Sequence, residues 1–340
     1  MSTVTLMAVG YILVNREDPD TALAGIRPLL DAADVAFGNF EGVLTDSYPV
    51  TPGGWPPALT GIRNSRGLTG LDVVSLATNH TMDAGSPGLA DTVKTLTSLG
   101  IRPTGAGMTL ADALRPALVE REGLRVAFVA ATAVLQHGAE ARVQTPGVAP
   151  LRADDCYLSP YPGGCAPGLA PRVLSVLNEA DWEAVAGAVG QAREMADLVV
   201  VIVHWGDHTQ PYVLTDHERL CAELLAEAGA SLVLGHHHNM PRGVEVIAGT
   251  PVFFGVYLDY LLHQGGVEGE ARGGSLPGEA RPGAARGYGD AHLAGGGQYA
   301  PDVLLGAHEG DGSRRHPASV VEADVVRMVL VVPGGHHVVL

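Results

Sequence analysis

The chain has 340 residues, 46% of them hydrophobic, a formal charge of −16 and 14 histidines. That length and hydropathy suit a globular chain with a substantial core and exclude disorder, while the acidic balance excludes the basic footprint of a nucleic-acid binder. Three cysteines, Cys156, Cys165 and Cys221, with no Cys-x-x-Cys pair exclude a disulfide framework and a thiolate zinc ribbon.

The opening MSTVTLMAVGYILVNRED has no basic leader, and no apolar run reaches membrane-spanning length. A cytoplasmic protein without a membrane partner is expected. Apolar runs of strand length then alternate with amphipathic segments, which predicts a layered α/β domain. Strands are predicted at 4–14 and 35–38, with a helix at 21–33 between them. A strand at 73–77 leads into a helix at 87–99, closed by Gly100 in the position that favours left-handed backbone. Further strands are expected at 101–105, 125–131, 198–204, 232–235, 252–256 and 321–331, and helices at 182–195 and 215–228. Two stretches break the rhythm. Residues 144–171 are rich in Pro and Gly and read as a loop insertion. Residues 263–317 hold 15 of the 45 glycines and read as a lid or a disordered insertion. The whole, 1–340, is taken as one domain.

Polar residues cluster at the predicted C-terminal ends of strands: Glu41 after 35–40, Asn79 and His80 after 73–77, His204 at the end of 198–204, and His236, His237 and His238 after 232–235. Ligands of open α/β sheets bind at such ends. Singly, each residue has an ordinary explanation: a cap, a turn former or a surface histidine. Together they form a metal-site pattern suited to zinc, iron or manganese.

These segments resemble the CapA family of poly-γ-glutamate capsule biosynthesis proteins. The resemblance rests on Gly38-Asn-Phe-Glu41-Gly42, on Asn79-His80-Thr-Met-Asp83-Ala-Gly85, on His204-Trp205-Gly206, and on Gly235-His236-His237-His238-Asn239 with Gly249-Thr-Pro-Val252. It implies a layered β-sandwich flanked by helices, similar to the calcineurin-like metallophosphoesterases, and metal-dependent chemistry. In that plan one metal takes an Asp after the first strand and the last histidine of a closing His-Pro-His. The other takes the Asn, the middle His and the first closing His, and a carboxylate bridges the two. Here Tyr11 follows Gly10 where the family has Asp, Asn239 replaces the last histidine, and Gly255-Val-Tyr-Leu-Asp259 replaces Gly-Asn-Phe. Both ligand losses strike the same site, so one divalent ion (Zn, Mn or Fe) held by Glu41, Asn79, His204 and His237 is expected. Three alternatives stay open: Tyr11 as a phenolate ligand, His236 and His238 as the closing pair, and Asp18 or Asp20 as a replacement carboxylate. A site that holds no metal is a fourth.

The resemblance casts His80 as the acid that protonates the leaving group. Asp83 either orients it or caps the following helix. Arg16, Arg242 and Asn239 are expected to contact a small-molecule or peptide-like substrate, the arginines as bidentate anchors for an anion. The expected function is a metal-dependent hydrolase or transferase acting on an amide, γ-glutamyl or phosphoester bond. The competing reading is a non-catalytic accessory protein that reuses the cleft.

Overall fold

The computed structural model describes residues 3–47, 56–159, 161, 168–210, 213–257, 304–306, 326–332 and 336–339. Two sheets face each other. The first runs in the order Leu304–Gly306, Val326–Val332, His336–Val339, Thr3–Ile12, Val35–Phe40, Val73–Ser75 and Arg102–Thr104. The second runs Val244–Ile247, Thr250–Phe253, Leu232–His236, Leu198–His204, Leu124–Thr132 and Ala117–Arg121. In both, the strands that lead to the polar cluster are parallel. This explains their unbroken apolar runs: a strand covered on both faces has no solvated side. Leu198–His204 (Leu-Val-Val-Val-Ile-Val-His) is buried at every residue.

Strand parity divides the core into three. Val35 and Phe37, Val73 and Ala77, Val200 and Ile202, and Leu232 and Leu234 fill the space between the sheets, where Phe37 stacks on Phe128 with ring centroids 5.8 Å apart. The alternate residues face helices. Val74 and Leu76 pack with Leu89 and Leu96 of helix Gly85–Ser98 on the first sheet. Val199, Val201 and Val203 pack with Val185, Val189, Ala222 and Leu225 of helices Glu179–Met195 and Asp216–Ala228 on the second. The result is a helix–sheet–sheet–helix sandwich, the α/β architecture that the resemblance implies.

Three expectations meet the structure differently. The stretch 21–33 is not one helix: a 3-10 turn at Pro19–Thr21 is followed by a separate helix Arg27–Asp31 with proline at its start. Pro28 is tolerated in a first turn but not in the interior that a single helix would require. Within 144–171, Gly147–Val148 and Ala153–Leu158 are strands, and the latter pairs antiparallel with Arg172–Leu177. The flanking Pro and Gly obscure that short β pattern. Of 263–317, only Leu304–Gly306 falls among the described residues, so the insertion and the lid lie outside them. Among the described residues, no helix is long and apolar enough to cross a membrane.

Candidate metal centre

The parity that fills the core also builds the site. Counting in twos from Val35 and Phe37 reaches Asn39 and then Glu41; from Val73 and Ala77 it reaches Asn79; from Val200 and Ile202 it reaches His204. Apolar packing inside the sandwich therefore delivers these polar side chains to its rim, on the side where the parallel strands end. There His204 Nε2 lies 2.8 Å from Asn79 Oδ1, 3.1 Å from His237 Nδ1 and 3.7 Å from Glu41 Oε1. Donor atoms of Glu41, His204 and His237 lie within 4.8 Å of one another.

The three consecutive histidines separate. His236 continues the parity of Leu232 and Leu234 into the sandwich, where it is buried against Phe37 with ring centroids 6.1 Å apart. His238 turns to helix 216–228 and meets Glu218 Oε1 at 2.7 Å. Only His237 approaches His204. The alternative closing pair of His236 and His238 is therefore corrected: neither ring joins the cluster. Neither do the replacement carboxylates. Asp18 Oδ1 accepts the backbone N–H of Asp20, Asp20 pairs with Arg66, and both lie exposed on the 3-10 turn.

Electrostatics favour a cation. Burial pushes Glu41 up to about 7, with His80 opposing and Asp83 adding to the rise. Burial also holds His204 well below its ordinary range and brings His237 down to about 4. The cluster is thus a buried carboxyl group, held near the midpoint of its titration at neutral pH, among neutral imidazoles, the protonation state in which imidazole ligates. Glu41 Oε2 is buried without a hydrogen-bond partner. One proton on His204 Nε2 can serve only one of its three neighbours. A divalent ion would satisfy all four donors at once, so the residues present fit one. The set lacks one usual feature, an acceptor for His204 Nδ1.

Beside the cluster, His80 Nδ1 lies 2.8 Å from Asp83 Oδ2. Burial alone would lower the His80 pKa, but the hydrogen bond and charge of Asp83 outweigh it and the net shift is upward. Asp83 is itself fixed: Oδ2 accepts the Ala58 N–H at 2.6 Å and Oδ1 accepts from Gln136 Nε2 at 2.7 Å. The helix N-cap is Ala84, without a side-chain bond, so Asp83 does not cap the helix. Gln136 also approaches the Asn79 carbonyl at 3.4 Å. Sequence reasoning missed Gln136, because a lone glutamine after a strand carries no pattern. Buried Asn39, whose amide atoms have no partner, was not singled out although it lies in the Gly38-Asn-Phe-Glu41 segment.

The expected substrate contacts fare unevenly. The Arg242 guanidinium donates to the carbonyls of Val213, Asp207 and Gln210 at 3.3, 3.0 and 2.9 Å. It fastens a loop of its own chain, which corrects its assignment as an anion anchor. Arg16 Nη1 donates to Thr21 Oγ1 at 2.9 Å, on the 3-10 turn that also carries Asp18 and Asp20. Asn239 is exposed in the left-handed region, with φ 55°. Exposed His208, absent from the expected set, packs edge-on against His237 at 5.2 Å. A surface cleft of about 660 Å³ beside Val93, Arg102, Met108 and Leu118 touches none of these residues. Cys221 is buried 3.4 Å from His217 Nε2, and burial pushes its thiol far up, so it is inert.

The family model of the bacterial capsule synthesis protein PGA_cap matches residues 5–256, a span that holds every residue of the cluster. The chain belongs to the PGA_cap family. The PGA biosynthesis protein CapA of Bacillus subtilis (strain 168) is 26% identical over 259 residues, covering 74% of this chain and 60% of that protein. A probable polyglutamine synthesis accessory protein of Mycobacterium tuberculosis is 32% identical over 237 residues, covering 66% and 54%. The chain thus spans less than two thirds of the length of these relatives. A hypothetical protein from Thermus thermophilus superposes with a TM-score of 0.41 at 17% identity, covering 74% of this chain and 76% of that one.

Within this PGA_cap chain, the slot expected to hold the first-strand Asp is built differently. A register shift between Val9 and Tyr11 sets Tyr11 opposite Asn39. Such bulges re-aim side chains beside active sites. Burial, with the charges of Glu41 and Tyr257, pushes the Tyr11 phenol up to about 12. Tyr11 therefore stands near Glu41 as a protonated phenol in the metal-free chain.

Proposed function

We propose that this PGA_cap protein is an enzyme with one divalent ion at Glu41, Asn79, His204 and His237, acting on an amide, γ-glutamyl or phosphoester bond by hydrolysis or acyl transfer. The observation that carries it is the convergence of Asn79 Oδ1, His237 Nδ1 and Glu41 Oε1 on His204 Nε2. When bound, such an ion polarises a carbonyl or phosphoryl oxygen and acidifies a bound water.

The chain's own groups supply the rest. Glu41 brings the anionic charge and Asn79 a neutral oxygen. His204 and His237 stay uncharged at neutral pH and so remain available as ligands. With Nδ1 held by Asp83, His80 exchanges a proton at Nε2, the role of acid toward a leaving oxygen or nitrogen. Gln136 and the Ala58 N–H keep Asp83 in place for that task. Tyr11 offers a neutral O–H where the family plan has a metal-binding carboxylate. A γ-glutamyl substrate is favoured because one relative is named for PGA biosynthesis and another for polyglutamine synthesis. The expected setting is cytoplasmic, which fractionation of producing cells checks.

Metal content and turnover test the reading together. The purified chain should hold one equivalent of metal, Glu41→Gln close to none, and His80→Ala one equivalent without turnover of γ-glutamyl amides or phosphodiesters. Two equivalents in the parent overturn the one-metal site, and none overturns the metal altogether. Metal without turnover in the parent favours the accessory-protein reading, which the name of the mycobacterial relative also suggests.

A further inference from the structure

His237 reaches His204 only through an unusual backbone. Its φ is 94° and that of Asn239 is 55°, so two non-glycine residues just after strand Leu232–His236 sit in the left-handed region. Such conformations persist only where the surroundings over-determine them. Between these two residues lies His238, whose ring and Glu218 partner are both fully excluded from solvent. Its slot corresponds to the proline of the family's His-Pro-His, so the ring restraint on backbone φ that proline gives is absent here.

The pair is tied at its far end. Glu218 Oε1 meets His238 Nε2 at 2.7 Å, while Oε2 accepts the backbone N–H of Thr215 at 2.6 Å and its hydroxyl at 2.9 Å. Glu218 is therefore the third residue of a capping box and the anchor of the turn at once. Gly206, directly after the cluster's His204-Trp205, has φ 82°, and a Cβ there would overlap His238 Nε2 and Glu218 Oε1. The glycine of His-Trp-Gly leaves the room that the pair occupies.

We propose that Glu218 is a positioning residue: through His238 it holds the bend after strand Leu232–His236, with His237 and Asn239 in the left-handed region, so that His237 Nδ1 is aimed at His204 Nε2. This rests on the one-metal reading, and His238 stands in for the family's proline by hydrogen bonding where proline acts by ring closure.

The test uses the full chain with Co(II) as a spectroscopic probe. The parent should bind one Co(II) and show ligand-field bands. Glu218→Ala and His238→Ala should each weaken Co(II) by about 10-fold, the lower end of the loss seen when a direct hydrogen-bond partner of a ligand is removed, because both act on His237 only through the backbone, and shift those bands. Glu218→Gln keeps one acceptor oxygen for the His238 N–H but sets its amide NH2 against the Thr215 N–H, so it should restore affinity and bands in part. Thr215→Ala separates this role from helix capping: it should lower the melting temperature and leave the bands unchanged. His238→Ala keeps the capping box, so it serves where Glu218→Ala does not fold. Unchanged affinity and bands in both alanine variants overturn the positioning role alone. A parent chain that binds no Co(II) overturns the metal reading and this inference with it.

Discussion

His236 shows how parity alone sets the fate of a residue. It sits beside a ligand candidate in sequence, yet the even count from Leu232 sends it between the sheets, where burial pushes its pKa down to about 3. The ordinary value is 6.5, so the depressed folded-state value gives stability that is present above pH 6.5 and is lost as pH falls toward 3. Each pH step across that window removes about 1.4 kcal/mol of folding free energy. His236→Leu, which keeps the volume without the titration, should shift acid unfolding of the metal-free chain to lower pH, followed by circular dichroism. An unchanged acid midpoint rejects this account. The residue types of the cluster were legible in the sequence because four strand ends carried them. Which of three adjacent histidines turns to His204 was legible only through the family resemblance, which put His237 there, and not through periodicity, since a left-handed φ at His237 follows from packing around Gly206 and Glu218 and leaves no periodic trace.

At the scale of elements, the buried parallel strands were the most legible part, because continuous β-branched runs suit a surface covered on both faces. Leu198–His204 matches its expected bounds. The surface strands Ala117–Arg121, Val244–Ile247 and Arg172–Leu177 were missed; they are short edge or hairpin strands with mixed exposure. Loops were legible as loops, but their fastening was not. Arg242 ties the segment after the histidines to the carbonyls of Asp207, Gln210 and Val213. Arg242→Ala should cost about 1–3 kcal/mol through those lost bonds. Hydrogen exchange should quicken in peptides that contain Asp207 and Gln210, while affinity for inorganic phosphate stays unchanged. A selective loss of phosphate affinity with unchanged exchange would restore the arginine to the role of anion anchor.

Taken whole, the chain carries a strongly negative net charge, and its site is proposed to take anionic substrates. The chain carries 37 acidic residues against 21 basic ones, and charge at the solvent-exposed surface is subject to screening. Encounter with a γ-glutamyl or phosphoester anion is therefore opposed at long range and favoured only close to the site. Screening lengths shrink from about 30 Å at about 0.01 M ionic strength to about 8 Å at about 0.15 M. Across that range kcat/KM for an anionic substrate should rise by a few-fold while kcat holds, the reverse of the salt response of a positively steered enzyme. A neutral amide of the same size should show no such rise, so the ratio of the two slopes reads the charge of the preferred substrate without knowledge of its identity. A fall in kcat/KM for the anion with added salt would mean that a local cationic patch, and not the net charge, governs access to the Glu41–His204 cluster.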